Sequence, residues 1–275
     1  MADNQDIAPD AAVTIAAHNP SPATQPPILG IAALPTIQDL YTQQAVPVPA
    51  VPVPWALPSH EYNAFVALHR GPITRIAADV LVVPTPAVLP AHPAAGSSTA
   101  AAVHRAAGPE LVDALAHSFD ALTDPNPSPN LSSSSSSTPL SGFRLPAPFV
   151  IHTVGPSYMH ANAPAALPPA KKRSAALDDL GRCYAHAFQL ADRLAVQRGA
   201  CTLAFAAIGT SSSAGGSGNG SGTGKRGFPS REAAWVACRS ARTYLECMGP
   251  APLYTRIAFV VSEDEDYAAY LQAIP

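Results

Sequence analysis

Apolar positions along the chain fall into two alternating patterns. Short runs in which nearly every residue is apolar or β-forming, at Ala64 to Leu68, Val80 to Val83, Phe149 to Val154, Thr202 to Ile208 and Ile257 to Val261, predict strands. Between them, apolar residues recur at three- and four-residue spacing. This predicts helices over Thr99 to Ala116, broken at Gly108-Pro109, and over Ser174 to Gln197, Ser230 to Cys247 and Asp264 to Ala273. Successive side chains of a strand point to opposite faces, so continuously apolar strands belong in a sheet covered on both sides. The pattern therefore predicts a three-layer α/β domain from about residue 59 to 275.

The remainder of the chain has a different character. Residues 1–58 are rich in Ala, Pro and small polar residues and end in alternating prolines from Val46 to Pro54, which predicts a disordered, extended tail. Within it only Ile37 to Tyr41 suggests a short docking helix. Three segments read as low-complexity surface insertions: Asp124 to Pro139, Met159 to Pro169, and the Ser/Gly stretch Ser211 to Arg226. Composition agrees, with 31 prolines in 275 residues and only 13% charged residues, where about a quarter is usual.

A net charge of −3 gives no general pull toward nucleic acid or an anionic membrane, so neither is an expected partner. The local run Lys171-Lys172-Arg173 reads as a solvated helix start rather than a phosphate patch. Cys183, Cys201, Cys238 and Cys247 form no C-x-x-C pair and no metal-ligand spacing, so buried reduced thiols and no metal are expected. With no leader-like run near the amino terminus and no apolar stretch of about 18 residues, a cytosolic or nuclear monomer is the expectation.

Several motifs, in fixed order from about residue 65 to the end, resemble the macro domain family, particularly its fungal and MacroD-like members. They are Gly71-Pro72-Ile73-Thr74 with Asp79-Val80-Leu81-Val82; Val103-His104-Arg105-Ala106-Ala107-Gly108-Pro109-Glu110-Leu111; Leu145-Pro146 followed by Val150-Ile151-His152-Thr153-Val154-Gly155-Pro156; Leu203 to Thr210; Gly227-Phe228-Pro229; and Phe259-Val260-Val261 with Asp266-Tyr267 and Tyr270. The resemblance implies a three-layer α/β/α macro-domain fold with a mixed, mostly parallel central sheet. It also implies a cleft for ADP-ribose or a related phosphorylated nucleotide at the carboxyl ends of the strands, with an ADP-ribosylated protein as a possible partner and no cofactor. Two loops would hold the diphosphate through backbone N–H groups at helix N-termini, where unpaired donors and the helix dipole favour an anion. By that resemblance the ligand contacts are Ile73; Gly96, Ser97, Ser98, Thr99 and Ala100 in loop one; and Gly209, Thr210, Gly227 and Phe228 in loop two, with the Phe228 ring on a ribose.

The departures from the family pattern are chemical. Where active members read N-A-A-N, this chain has Val83-Pro84-Thr85-Pro86, and the position of a loop-one aspartate is Ala100. No general base or water-orienting amide remains there, so no catalytic residue is assigned and hydrolase activity is expected to be lost. At the adenine end, the family's aspartate aligns with Pro72 and its stacking aromatic with Ser262. Losing a hydrogen bond to a charged group costs about 1.5–3 kcal/mol, which weakens ADP-ribose affinity. Two alternatives remain: substrate-assisted hydrolysis of ADP-ribose esters or a terminal phosphate, and a scaffold whose cleft is closed.

Other signals are weaker. Ser97, Ser98 and Thr99 are good N-cap residues, and capping is preferred over phosphate binding for their hydroxyls. Gly222-x-Gly224-x-x-Gly227 lies in a Ser/Gly stretch where any glycine spacing occurs, and no P-loop follows Gly224-Lys225. His104 and His152 read as hydrogen-bonded core residues in preference to an acid/base pair with Asp79. Glu263 to Asp266 read as a helix start in preference to a metal site.

Overall fold

The computed structural model describes residues 26–47, 59–85, 97–122, 137–156, 158, 168–198, 201–210, 227–248 and 253–274. In chain order the elements are β1 (Leu29–Gly30), a 3-10 turn (Ile31–Ala33), α1 (Ile37–Thr42), α2 (His60–Phe65), β2 (Val66–Arg70), a 3-10 turn (Ile73–Arg75), β3 (Ile76–Ala77), β4 (Val80–Thr85), α3 (Thr99–Ala107), α4 (Pro109–Leu122), β5 (Ser137–Ser141), β6 (Phe149–Val154), α5 (Pro169–Arg198), β7 (Cys201–Ala206), α6 (Ser230–Met248), β8 (Tyr254–Val261) and α7 (Asp264–Ala273).

Six strands form the main sheet in the order β2-β8-β7-β4-β6-β5, all neighbours parallel except the antiparallel edge pair β5/β6. The strands' two-residue periodicity divides the core. Val80, Val82, Leu203, Phe205, Ile257 and Phe259 face one helical layer, where Tyr184, Phe188, Ala234 and Leu245 of α5 and α6 cover them. Leu81, Val83, Ala204, Ala206, Ala258 and Val260 face the other, where Val103, Ala107 and Leu111 of α3 and α4 pack. The first face is aromatic and the second alanine-rich. This is the mixed, mostly parallel, three-layer α/β/α arrangement, and it explains why the strands read as unbroken apolar runs.

A carboxylate ties the lower edge of the sheet. Asp79, just before β4, accepts from the Thr202 backbone N–H at 2.8 Å and from the Thr202 hydroxyl at 2.9 Å, and the Asp79 N–H donates to the same hydroxyl oxygen at 2.9 Å. Charged hydrogen bonds of this kind are about twice as strong as neutral ones, so they fix the register of β4 against β7.

The tail expected through residue 58 is corrected at residues 26–47, which belong to the folded domain. Leu29 and Gly30 pair in parallel with Ile76 and Ala77. Ile31, Leu34, Ile37 and Leu40 recur every third residue and are all buried. Thr36 and Asp39 form a reciprocal capping box at the start of α1, and Thr36 also bridges to Ala67. The short docking helix expected at Ile37 to Tyr41 is present as α1, while proline-rich composition hides the rest of this amphipathic face. Residues 1–25 and 48–58 lie outside the described residues.

The insertion boundaries also shift. Residues 137–139, read as the end of an insertion, belong to edge strand β5, with Pro139 opposite Ile151. Proline is tolerated there because an edge strand needs hydrogen bonds on one side only. The second insertion ends where α5 begins at Pro169, five residues before the helix predicted from Ser174, with proline in the first helical position that suits it. Residues 124–136, 159–167 and 211–226 of the three insertions lie outside the described residues. Among the described residues no helix is long and apolar enough to cross a membrane.

Candidate functional site

The parallel strands carry their carboxyl ends to one edge of the sheet, and the segments that follow them set out the candidate cleft. At one end, the Gly71 N–H donates to the Val261 carbonyl at 2.8 Å, which joins the end of β2 to the end of β8. Pro72 and the exposed Ser262 therefore stand side by side, at the positions where the family pattern carries its adenine contacts. Pro72 opens the 3-10 turn that holds Ile73. The Ile73 side chain is only 3% exposed and packs with Ile76 and Leu81, so only its backbone is available to a ligand.

Loop two is built at the end of β7. Gly209 has φ +81°, and a Cβ there would stand 3.0 Å from the Phe228 ring and 3.3 Å from Leu180. Glycine is therefore required both by conformation and by space. The Phe228 N–H donates to the Gly209 carbonyl at 2.7 Å, and Thr210 bridges to Phe228 in parallel, which brings the two halves of loop two together around residues 211–226. Thr210 and Gly227 are both buried.

Phe228 is 1% exposed. Its ring meets Tyr158 edge-on at 5.1 Å between centroids and belongs to the aromatic core, so in this conformation it is not open to a ribose as the resemblance implied. Tyr158, after β6, is the partner that sequence reasoning does not reach; the only signal is its place two residues beyond the matched motif that ends at Pro156. Two residues after Phe228, α6 begins at Ser230.

Loop one leads into α3. Ser98 is the N-cap, its hydroxyl oxygen accepting from the Ala101 N–H at 3.1 Å, which is the capping role preferred for it. Ser97 is exposed, Thr99 half-buried and Ala100 buried, and Gly96 lies outside the described residues.

Beneath loop one the altered segment at the end of β4 is tied to the core. Thr85 Oγ1 and His152 Nδ1 share a buried hydrogen bond of 2.7 Å. The His152 and His104 rings lie 5.4 Å apart, and burial, with a smaller contribution from His104, holds the His152 imidazole down at about 3. It is a neutral core ring at physiological pH. Asp79 is at the opposite end of β4, bound to Thr202, and does not meet these histidines. Burial pushes the Cys183 and Cys238 thiols up to about 12, so neither is a thiolate at neutral pH, whereas Cys247 is exposed, contrary to the expectation that all are buried.

These features define a class: a three-layer α/β/α domain in which helices α3 and α6 take off after the carboxyl ends of neighbouring strands β4 and β7. Residues 91–215 match the family model for the macro domain. A sea anemone protein, the GDAP2 homolog of Nematostella vectensis, is 31% identical over 216 residues, which is 78% of this chain and 34% of that protein. The ganglioside-induced differentiation-associated protein 2 of Bos taurus is 31% identical over 49% of this chain and 21% of its own length. The chain thus spans about a third or less of these relatives. Among solved structures, the macro domain of ganglioside-induced differentiation-associated protein 2 superposes with a TM-score of 0.60 at 22% identity, covering 89% of this chain and 94% of that one. The Trypanosoma brucei macrodomain in complex with ADP-ribose gives 0.53 at 24% identity, covering 82% and 79%. The chain belongs to the macro domain family as a divergent member.

Proposed function

We propose that this protein binds ADP-ribose, or a related phosphorylated nucleotide, without hydrolysing it, and that the ligand can be carried on an ADP-ribosylated protein. The reading is supported by two helix starts placed after neighbouring strands. In α3 the Ser98 cap takes the Ala101 amide, which leaves the Thr99 and Ala100 amides to face an anion, and α6 contributes its first amides beside the Gly209–Phe228 pairing. Relatives of similar fold solved with ADP-ribose and with ADP make this ligand class the natural one.

The observation that carries the loss of hydrolysis is the Thr85–His152 bond. In the segment that replaces the family's asparagines, Val83 is wholly buried, Pro84 has no N–H, and the Thr85 hydroxyl is spent on a core imidazole. No amide side chain from Val83 to Thr85 can orient a water, and Ala100 supplies no carboxylate.

Isothermal titration of the full chain with ADP-ribose at low salt tests the first part, with binding expected and abolished by Gly96→Glu in loop one. No detectable heat would leave the fold as a scaffold only. Incubation with an ADP-ribosylated protein tests the second: release of ADP-ribose would restore the substrate-assisted alternative.

A further inference from the structure

Between α5 and α6 lies a groove of about 540 Å3 that shares no residue with the loops of the candidate cleft. Its origin is in the sequence. Gly181 and Ala185 of α5 stand across from Val236, Ser240 and Thr243 of α6, small or short side chains where two helices would otherwise interlock. A Cβ at Gly181 would meet only Val236 Cγ1, at 3.9 Å, so the space in front of it is open.

The groove is long rather than compact. It follows α5 from Leu177 to Asp192 and α6 from Trp235 to Cys247, or about 20 Å at the rise of an α-helix. Its floor is apolar: Phe188 and Tyr244 stack with centroids 4.2 Å apart and planes 6° apart. Half-buried Trp235 forms a wall, with the Arg239 guanidinium 5.1 Å from its ring centroid. At the far end the Asp192 carboxylate accepts from the Tyr244 hydroxyl at 2.6 Å and the Tyr254 hydroxyl at 2.7 Å.

Charge distinguishes this layer from the rest of the molecule. Helices α5 and α6 carry nine Lys/Arg against five Asp/Glu, a net +4 within a chain of net −3, so the remainder is net −7. Exposed Arg182, ion-paired with Asp179, and exposed Arg239 flank the floor from opposite helices. Of the two acidic groups in the lining, Asp178 is exposed and Asp192 is engaged by the tyrosines.

We propose that this groove docks an acidic, amphipathic peptide segment of a partner protein. Its apolar side chains sit over Phe188, Tyr244 and Trp235, and its carboxylates meet Arg182 and Arg239. Length and an apolar floor fit side chains projecting from a peptide backbone, and the positive layer supplies attraction and orientation. A single-stranded nucleic acid fits less well. Phe188 and Tyr244 already cover each other and one face of Trp235 lies under Arg239, which leaves little open aromatic surface for bases to stack on.

The chain has two tryptophans, so Trp55→Phe makes Trp235 the sole reporter in the full-length protein. The probes are an 18-residue peptide with Leu at helical spacing and Glu between, its Lys counterpart, and oligothymidylate. The Glu peptide should shift the Trp235 emission, with affinity falling as salt screens the charges. Arg182→Glu with Arg239→Glu should weaken it by about tenfold or more. Gly181→Phe, which fills the groove in a helix where glycine is a poor former, should abolish it with no loss of thermal midpoint. Should that variant misfold, alkylation of the exposed Cys247 at the groove end with a bulky maleimide should block the peptide. No response to the Glu peptide, an equal response to the Lys peptide, preferential binding of oligothymidylate, or unchanged affinity in the filled groove would each overturn the proposal.

Discussion

His152 shows how a single side chain makes the core sensitive to acid. In the folded protein its imidazole is held at about 3 by burial, whereas in the unfolded chain it returns to its ordinary value near 6.5. Below that value the unfolded state binds a proton that the folded state refuses, so stability is full above pH 6.5 and falls as the pH drops toward 3. At pH 5 the loss from this residue alone is about 2 kcal/mol. The thermal midpoint is therefore expected to fall between pH 7 and pH 5, and the fall to shrink in His152→Asn. An equal fall in the variant would assign the acid sensitivity elsewhere. The motif around His152 is legible in the sequence, but its role is not. Only the fold brings Thr85, from a strand 67 residues away, to its Nδ1.

At the scale of elements, the segment that leads from β1 into α1 is where composition and structure part. A segment dense in Ala and Pro reads as a tail because composition averages over the few residues that matter, while Ile31, Leu34, Ile37 and Leu40 place one apolar contact every turn against the domain. The capping box then starts the helix without help from neighbouring sequence. Leu40 is 3% exposed in the main core, so Leu40→Ala is expected to cost about 2–5 kcal/mol, and Thr36→Ala about 1 kcal/mol, in urea unfolding. Values near zero for both would return this segment to a tail. The parallel strands, by contrast, are legible nearly to the residue at Phe149–Val154, because burial on both faces demands an unbroken apolar run. Edge strand β5 is not legible, since pairing on one side demands little of its side chains. The same contrast governs the cleft. Glycine at 209 and the cap at 98 are readable because backbone conformation restricts the residue type, but the burial of Phe228 depends on Tyr158 and Leu180, which local sequence does not reveal.

For the whole molecule, the proposed binding has to work on a macro-domain fold in which much of the family's side-chain chemistry is replaced. The strand ends bring Pro72 and Ser262, which the proposed binding mode sets against adenine, to one side, and the starts of α3 and α6, which it sets against the diphosphate, to the centre. Backbone amides do not depend on side-chain identity, so the central donors survive substitutions that remove the flanking ones. Binding should accordingly depend on the diphosphate and little on the adenine amino group. At ADP-ribose a hundredfold above Kd, linkage adds about 2.7 kcal/mol of stability, which for a domain of this size is about 5–10 °C in thermal midpoint. Replacing adenine by hypoxanthine, which lacks the amino group, should leave that shift nearly unchanged at the same concentration, because neither Pro72 nor Ser262 offers a carboxylate to lose. Removing the diphosphate, by using adenosine alone, should abolish it. A large loss with the hypoxanthine analogue would mean that another residue has taken over recognition of the base, and a shift with adenosine alone would place the binding energy outside the two helix starts.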